Sequence, residues 1–249
     1  MGLEMLGAVG EAQVQQAVRL AAQSLAQLGA AWVLEVSHMG YLFGLFDALG
    51  VPENARPGLL EKLREKNAHE LRRAAQAAGL DAAGAAALTG LLELSGSCEE
   101  TLAKAESACR NDRMRAAAAE LRALAKTLEA SGGAVRLDLS LAGEMEYYNG
   151  LVFQGYLQGL PRPLLKGGRY DLLMQKFTPG AGAIGFAVYL DELDRLSAPL
   201  PPVQKNSTDR VMLNVALPKG RLGDKVYHLL AGIGYGCPED YNATRKLVV

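Results

Sequence analysis

Glu144-Met-Glu-Tyr147-Tyr148-Asn149-Gly150, then Gly167-Gly168-Arg169-Tyr170-Asp171, then Ala183-Ile-Gly185-Phe186-Ala187-Val-Tyr189-Leu-Asp191-Glu192-Leu193 form the stretch around which the chain is organised. Just ahead of it, Val135, Leu137 and Leu139 alternate with Arg136, Asp138 and Ser140, the period of a half-buried strand. Tyr147 to Leu157 alternates again, with Tyr148, Gly150, Val152, Gln154 and Tyr156 on one face and Tyr147, Leu151 and Phe153 on the other. A short connection between the two segments predicts an antiparallel pair. Gly167-Gly168 reads as a tight turn, Asp171 precedes a short helix, and Ala183 to Val188 is a small-residue strand feeding a helix through Leu193. Strands that carry tyrosines and glycines in this order imply a strand-built pocket.

Upstream, Val14, Val18, Ala21, Leu25 and Leu28 repeat at helical spacing and predict a helix ending at Gly29. Ala31 to Ser37 reads as a strand, and an apolar helix follows from His38 until Gly50 and Pro52 close it. From about 57 to 130 alanine and leucine dominate, so helices are favoured. Pro57 suits a first helical turn, and Ser97-Cys-Glu-Glu100 fits a capping box. The basic pairs Arg72-Arg73 and Arg113/Arg115 are interleaved with neutral and acidic residues, the pattern of a solvated helix face.

Residues 203–209 are polar and read as a linker. Val211 to Leu217 is a near-continuous apolar run of the parallel-strand kind. With a helix over Asp224 to Ala231 and a strand opening at Lys246, it predicts a truncated βαβ start over 210–249.

The bulk numbers exclude several classes. Among 249 residues, Lys+Arg 26 against Asp+Glu 27 leaves a net charge of -1, so no basic field invites nucleic acid. The apolar runs break before the roughly 20 residues of a membrane span, and the first residues lack the pattern of a secretory signal. Cys98, Cys109 and Cys237 show no CxxC spacing, and His38, His69 and His228 lie far apart. A reduced, cytoplasmic protein without metal, cofactor or membrane partner is expected.

The order and spacing of Gly2-Leu-Glu4, Tyr147-Tyr148-Asn149-Gly150, Gly168-Arg169-Tyr170-Asp171 and Gly185 to Leu193 resemble the later half of a class II aminoacyl-tRNA synthetase core of the histidyl type. The resemblance covers Gly2 to about Leu196. It implies an α+β fold over 1–202: a partial class II antiparallel sheet with a helical insertion. Three departures bear on chemistry. The arginine that opens the Tyr-Tyr motif in that family falls on Gly143, the arginine of the third class II motif falls on Glu192, and a glycine before it falls on Tyr189. Fixed cations stabilise charge as an adenylate forms. Their loss, and a carboxylate in place of one, disfavour aminoacylation through repulsion of ATP.

A histidyl-synthetase-like core with a disarmed pocket resembles the regulatory subunits of ATP phosphoribosyltransferase. Val215-Ala-Leu-Pro-Lys219-Gly-Arg221-Leu222 resembles the start of the short catalytic subunits of that enzyme. The resemblance implies a missing N-terminal portion, a catalytic-subunit partner in a hetero-oligomer, and histidine as effector. It gives Glu4, Tyr147 and Tyr148 as histidine-binding residues, with Gly150, Arg169, Tyr170 and Asp171 as pocket support. Lys219 and Arg221 would bind substrate in the tail, and no residue is catalytic. Tyr148 could equally be core. Arg169 could contact ligand or pair with Asp171, and Glu144 and Glu146 could be an acid–base pair or solvated turn charges. A divergent histidyl-tRNA synthetase is the alternative. A free-standing phosphoribosyltransferase and a helical binding module are further readings.

Overall fold

The computed structural model describes residues 1–128, 134–143 and 147–195, together with the backbone of 214–215 and 247–248. Two compact units divide the chain, Met1–Pro201 and Pro202–Val249.

The first unit is built on a seven-stranded sheet. Its strands are β1 (Gly2–Gly7), β2 (Trp32–His38), β3 (Ser95–Ser97), β4 (Ala134–Asp138), β5 (Leu151–Leu157), β6 (Leu165–Arg169) and β7 (Gly182–Val188), in the order β1-β7-β6-β5-β2-β4-β3. All pairs are antiparallel except β2 with β4. The expected hairpin of β4 with β5 is therefore not formed, because β2 lies between them. β2 buries Leu34 and Val36 completely on one face, and the middle of a sheet is where such a strand buries best.

A parallel neighbour cannot be reached by a tight turn and needs a crossover. The Ala/Leu-rich region supplies it. After α2 (Met39–Ala48) come α3 (Arg56–Arg64), α4 (Ala68–Ala77), α5 (Ala82–Thr89), α6 (Cys98–Ser107) and α7 (Asp112–Leu128). Pro57 sits in the first turn of α3, while Asn67 and Asp81 cap α4 and α5 by accepting from Glu70 N at 3.1 Å and Gly84 N at 2.7 Å. Ser97 occupies the N-cap position of α6 but makes no side-chain capping bond. It ends β3 opposite Arg136, and the ladder sets its backbone.

One face of the sheet is apolar and covered. There α1 (Glu11–Ala26) packs on β5 and β7, burying Val14, Ala17, Val18, Ala21, Ala22 and Leu25. A Cβ on Gly155 would stand 2.6 Å from Leu25, so glycine permits the close approach of helix and strand. On the same face, His38 Nε2 meets Glu120 of α7 at 3.1 Å. His38 Nδ1 accepts from Gly40 N at 3.0 Å and so caps α2.

Beyond β7 and the short α8 (Leu190–Leu193), the described backbone of the second unit is the pair β8 (Asn214–Val215) and β9 (Leu247–Val248). Its register is antiparallel, not the parallel one of a βαβ start. The predicted linker at 203–209 and the helix at 224–231 lie outside the described residues.

Leu34 is fully buried at the centre of β2. Leu34→Ala should lower unfolding free energy by about 2–5 kcal/mol in a denaturant titration. A loss below about 1 kcal/mol would contradict a central β2.

Candidate functional site

The uncovered face of the sheet carries two rows of aligned residues. One runs Glu4, Gly185, Gly168, Val152 and Ser37, and the next runs Gly2, Ala187, Lys166, Gln154, Glu35 and Arg136. Glycines make room in the first row. A Cβ on Gly168 would stand 2.6 Å from the Tyr148 ring, and one on Gly185 would collide with the Glu4 carboxylate. Tyr148 thus lies on Gly168, and Glu4 lies on Gly185.

Tyr147 links these groups. Its ring stacks on Tyr170 with centroids 5.0 Å apart and meets Tyr148 edge-on at 4.6 Å. The Tyr170 hydroxyl donates to Glu4 Oε2. Burial holds the Glu4 carboxyl above its ordinary range, although the bond from Tyr170 opposes the shift. Burial and the nearby Glu4 push the Tyr170 hydroxyl far up, so it stays a donor. Glu4, Tyr147, Tyr148 and Tyr170 line a cleft of about 540 Å³, within the usual range of small-molecule sites. Gln154, Lys166 and Tyr189 line it from the strands and from the end of β7, and Arg64 lines it from α3. Lys166 Nζ sits 5.9 Å from the centre of the Tyr189 ring.

Gly150, Arg169 and Asp171 lie outside this lining. Arg169 follows Gly168 and faces the covered side, where its Nε donates to Asp171 Oδ2 at 2.7 Å and NH2 donates to Val9 O at 3.2 Å. Asp171 Oδ1 accepts from Ala183 N at 2.9 Å. Gly150 lies against the Arg169 stem, which a Cβ would approach to 3.0 Å. This group braces β6 and β7 from behind. Lys219, Arg221, Glu144 and Glu146 lie outside the described residues.

Two of the three departures sit at the cleft, and one does not. At Gly143 a Cβ would stand 2.5 Å from the Tyr148 ring, so no longer side chain fits there while Tyr148 holds this position. Tyr189 forms part of the wall. Glu192 corrects the expectation of a carboxylate facing ATP. Its side chain is 7% exposed, with Arg162 at 3.9 Å and Arg195 at 3.6 Å, and it does not line the cleft. Two neighbouring arginines offset its charge, and its carboxylate is not presented to the cleft.

Sequence reasoning missed Arg64 and Lys166. Lys166 shares the two-residue period of Gly168 and Tyr170, a signal that was available. Arg64 ends a helix 79 residues from Gly143, and nothing local marks it.

The raised Glu4 carboxyl fixes a sign. A carboxyl that binds its proton more tightly when folded contributes stability that is full below the unfolded value of 4.5 and is lost as pH rises through the higher folded value. Glu4→Gln removes that penalty, so the melting temperature of the variant minus that of the native chain should increase from pH 4 to pH 7. A flat or falling difference would contradict a desolvated Glu4. Gly168→Ala should displace Tyr148, read as changed near-ultraviolet dichroism, and destabilise by roughly 1–3 kcal/mol.

A family model described as histidyl-tRNA synthetase matches residues 1–193. A curated relative from Shouchella clausii, named ATP phosphoribosyltransferase regulatory subunit, is 37% identical over 198 residues, covering 78% of this chain and 50% of its own. A crystal structure from Bacillus halodurans, titled ATP phosphoribosyltransferase regulatory subunit/histidyl-tRNA synthetase, is 31% identical with a TM-score of 0.71, covering 79% of this chain and 53% of its own. An ATP phosphoribosyl transferase complex from Thermotoga maritima shares the fold at a TM-score of 0.60 and 18% identity, over 75% of this chain and 64% of that one. The chain spans about half the length of the curated relatives it matches. With the α+β sheet, the helical crossover and the Tyr-Tyr and Gly-Gly-Arg-Tyr-Asp segments in place, the chain belongs to the histidyl-tRNA synthetase family.

Proposed function

We propose that this chain is a non-catalytic regulatory subunit of ATP phosphoribosyltransferase, the first enzyme of histidine biosynthesis, and that its cleft binds histidine. The observation that carries the reading is the cleft itself. Glu4 offers an acceptor for an ammonium or imidazolium group, tyrosine rings give a flat apolar wall, and Arg64 and Lys166 offer positive charge for a carboxylate. A ligand bearing both charges and a planar ring is complementary to all of these.

The names of the relatives support the regulatory part of the reading, and the Thermotoga maritima complex supports a catalytic subunit as the partner in a hetero-oligomer. Histidine would act as a feedback effector by binding one state of the complex more tightly than another. A cytoplasmic location follows from that pathway. Among the described residues no helix is long and apolar enough to cross a membrane. In the tail, Lys219 and Arg221 would contact the substrates of the transferase.

Aminoacylation is the weaker reading. Gly143 carries no cation of its own, and Tyr189 takes space at the cleft wall. Arg64 reaches the Gly143 carbonyl from α3, and Lys166 stands beside the Tyr189 ring.

The test has two arms. Adding the chain to a short catalytic subunit should raise product formation from ATP and phosphoribosyl diphosphate, and histidine should bind the chain in calorimetry and lower that activity. Absence of both activation and histidine binding would sink the proposal. Histidine-dependent exchange of pyrophosphate into ATP would establish the synthetase instead.

A further inference from the structure

We propose that Arg64, carried over the cleft by the Lys66–Asp138 ion pair, receives the carboxylate of an amino acid bound there. This rests on the reading of the cleft as an amino-acid site and assigns to the helical crossover a direct part in binding.

The argument begins where α3 ends. Lys66, two residues past Arg64, has φ +52, the left-handed conformation that usually closes a helix with glycine. A lysine there costs roughly 1 kcal/mol or more in backbone strain relative to glycine, so its side chain must supply something glycine cannot. Lys66 Nζ donates to Asp138 Oδ2 at 2.6 Å, and the Asp138 side chain is 3% exposed. Asp138 also accepts from Ser140 N at 3.0 Å and from the Ser140 hydroxyl. Burial alone would lower the lysine's affinity for its proton, yet the bond and charge of Asp138 outweigh it and raise that affinity. The end of α3 is thereby fastened to the end of β4.

That fastening places Arg64. It lines the cleft, and NH2 reaches the Gly143 carbonyl at 3.4 Å, a long bond that anchors the side chain only weakly. Among the described residues it has no carboxylate within ion-pair distance. Lys166, the other cation of the lining, is engaged over the Tyr189 ring. A guanidinium presents a planar fork that matches a carboxylate by two parallel bonds, which an ammonium cannot do. Tyr148 leaves no room for a side chain at Gly143 itself. The charge therefore arrives from a helix of the crossover rather than from the strand loop.

Calorimetric or fluorescence titration with histidine and with histamine, which lacks the carboxylate, tests this on the whole chain. The native chain should prefer histidine by about tenfold, the scale of one charge-assisted bond. Arg64→Gln should bring that ratio close to one, with histamine affinity little changed, while Lys166→Gln should keep most of it. Lys66→Ala should lower the ratio as Arg64→Gln does, and Lys66→Arg, which keeps a cation for Asp138, should restore it. Arg64 is exposed, so its variant should keep the native melting temperature.

A native chain that prefers histidine while Arg64→Gln keeps the preference overturns the role of Arg64 and leaves the amino-acid site standing. A native chain that binds neither ligand removes the amino-acid reading, and this inference with it. Binding of ATP that depends on Arg64, without dependence for histidine, assigns the arginine to a phosphate and also overturns the proposal.

Discussion

The parallel pairing of β2 with β4 is the constraint on which the unit depends. Two parallel neighbours must be joined by a chain that leaves the sheet and returns on the same heading. Everything from Met39 to Leu128, apart from the short edge strand β3, is that excursion. It buries Leu59, Leu60, Leu63, Leu71, Leu88 and Leu121 in the same core as the strands, so it is no loose appendage. Once such a crossover exists, its turns can be used. The turn after α3 meets the sheet at Asp138, and this brings Arg64 to the same cleft as residues from the far side of the sheet.

The cleft balances opposing terms. Burial disfavours the Glu4 charge, and the single phenol bond from Tyr170 compensates only in part. A carboxylate held in this way is poised to gain from a cation. Stacked rings between Tyr147, Tyr148 and Tyr170 provide stiffness without requiring charge. Away from the cleft, Glu35 shows the same tension: burial raises it first and Asp138 second, with Lys66 opposing. Tyr156 nearby is pushed up to about 12, burial being the largest cause and Glu35 the next. This face of the sheet is thus a partly desolvated polar surface, on which Glu35 depends on Lys66 and Arg136 for compensation.

Much of this was legible in the chain. Period-two alternation located β4 and β5, because each buries one face against helices, and a run of small residues located β7. Leucine spacing located α1 and the helices of the crossover. Gly167-Gly168, read as a tight turn, lies instead inside β6 between β5 and β7, where close neighbours leave no room for side chains. Strand order was not legible. β4 and β5 are neighbours in sequence, and nothing within them says that β2 lies between. Glu192 was misread for a similar reason: a sequence position does not reveal that Arg162 and Arg195 stand beside a side chain and turn it away from the cleft. Arg64 was invisible because its role depends on a contact made 72 residues further on, between Lys66 and Asp138.

β1 adds a consequence of another kind. It is the end strand of the sheet and, among the described residues, is hydrogen-bonded along one side only, to β7. Its residues alternate between exposed and half-buried, which gives it little burial to hold it in place. Yet it carries Glu4, the acidic group of the cleft. Fraying of this strand would withdraw the carboxylate and open the Tyr170 side of the wall in one motion. Occupancy of the cleft and attachment of the strand are therefore thermodynamically linked: a ligand gripping Glu4 slows the exchange of the β1 amides, and whatever seals the outer edge of β1 tightens the hold on that ligand.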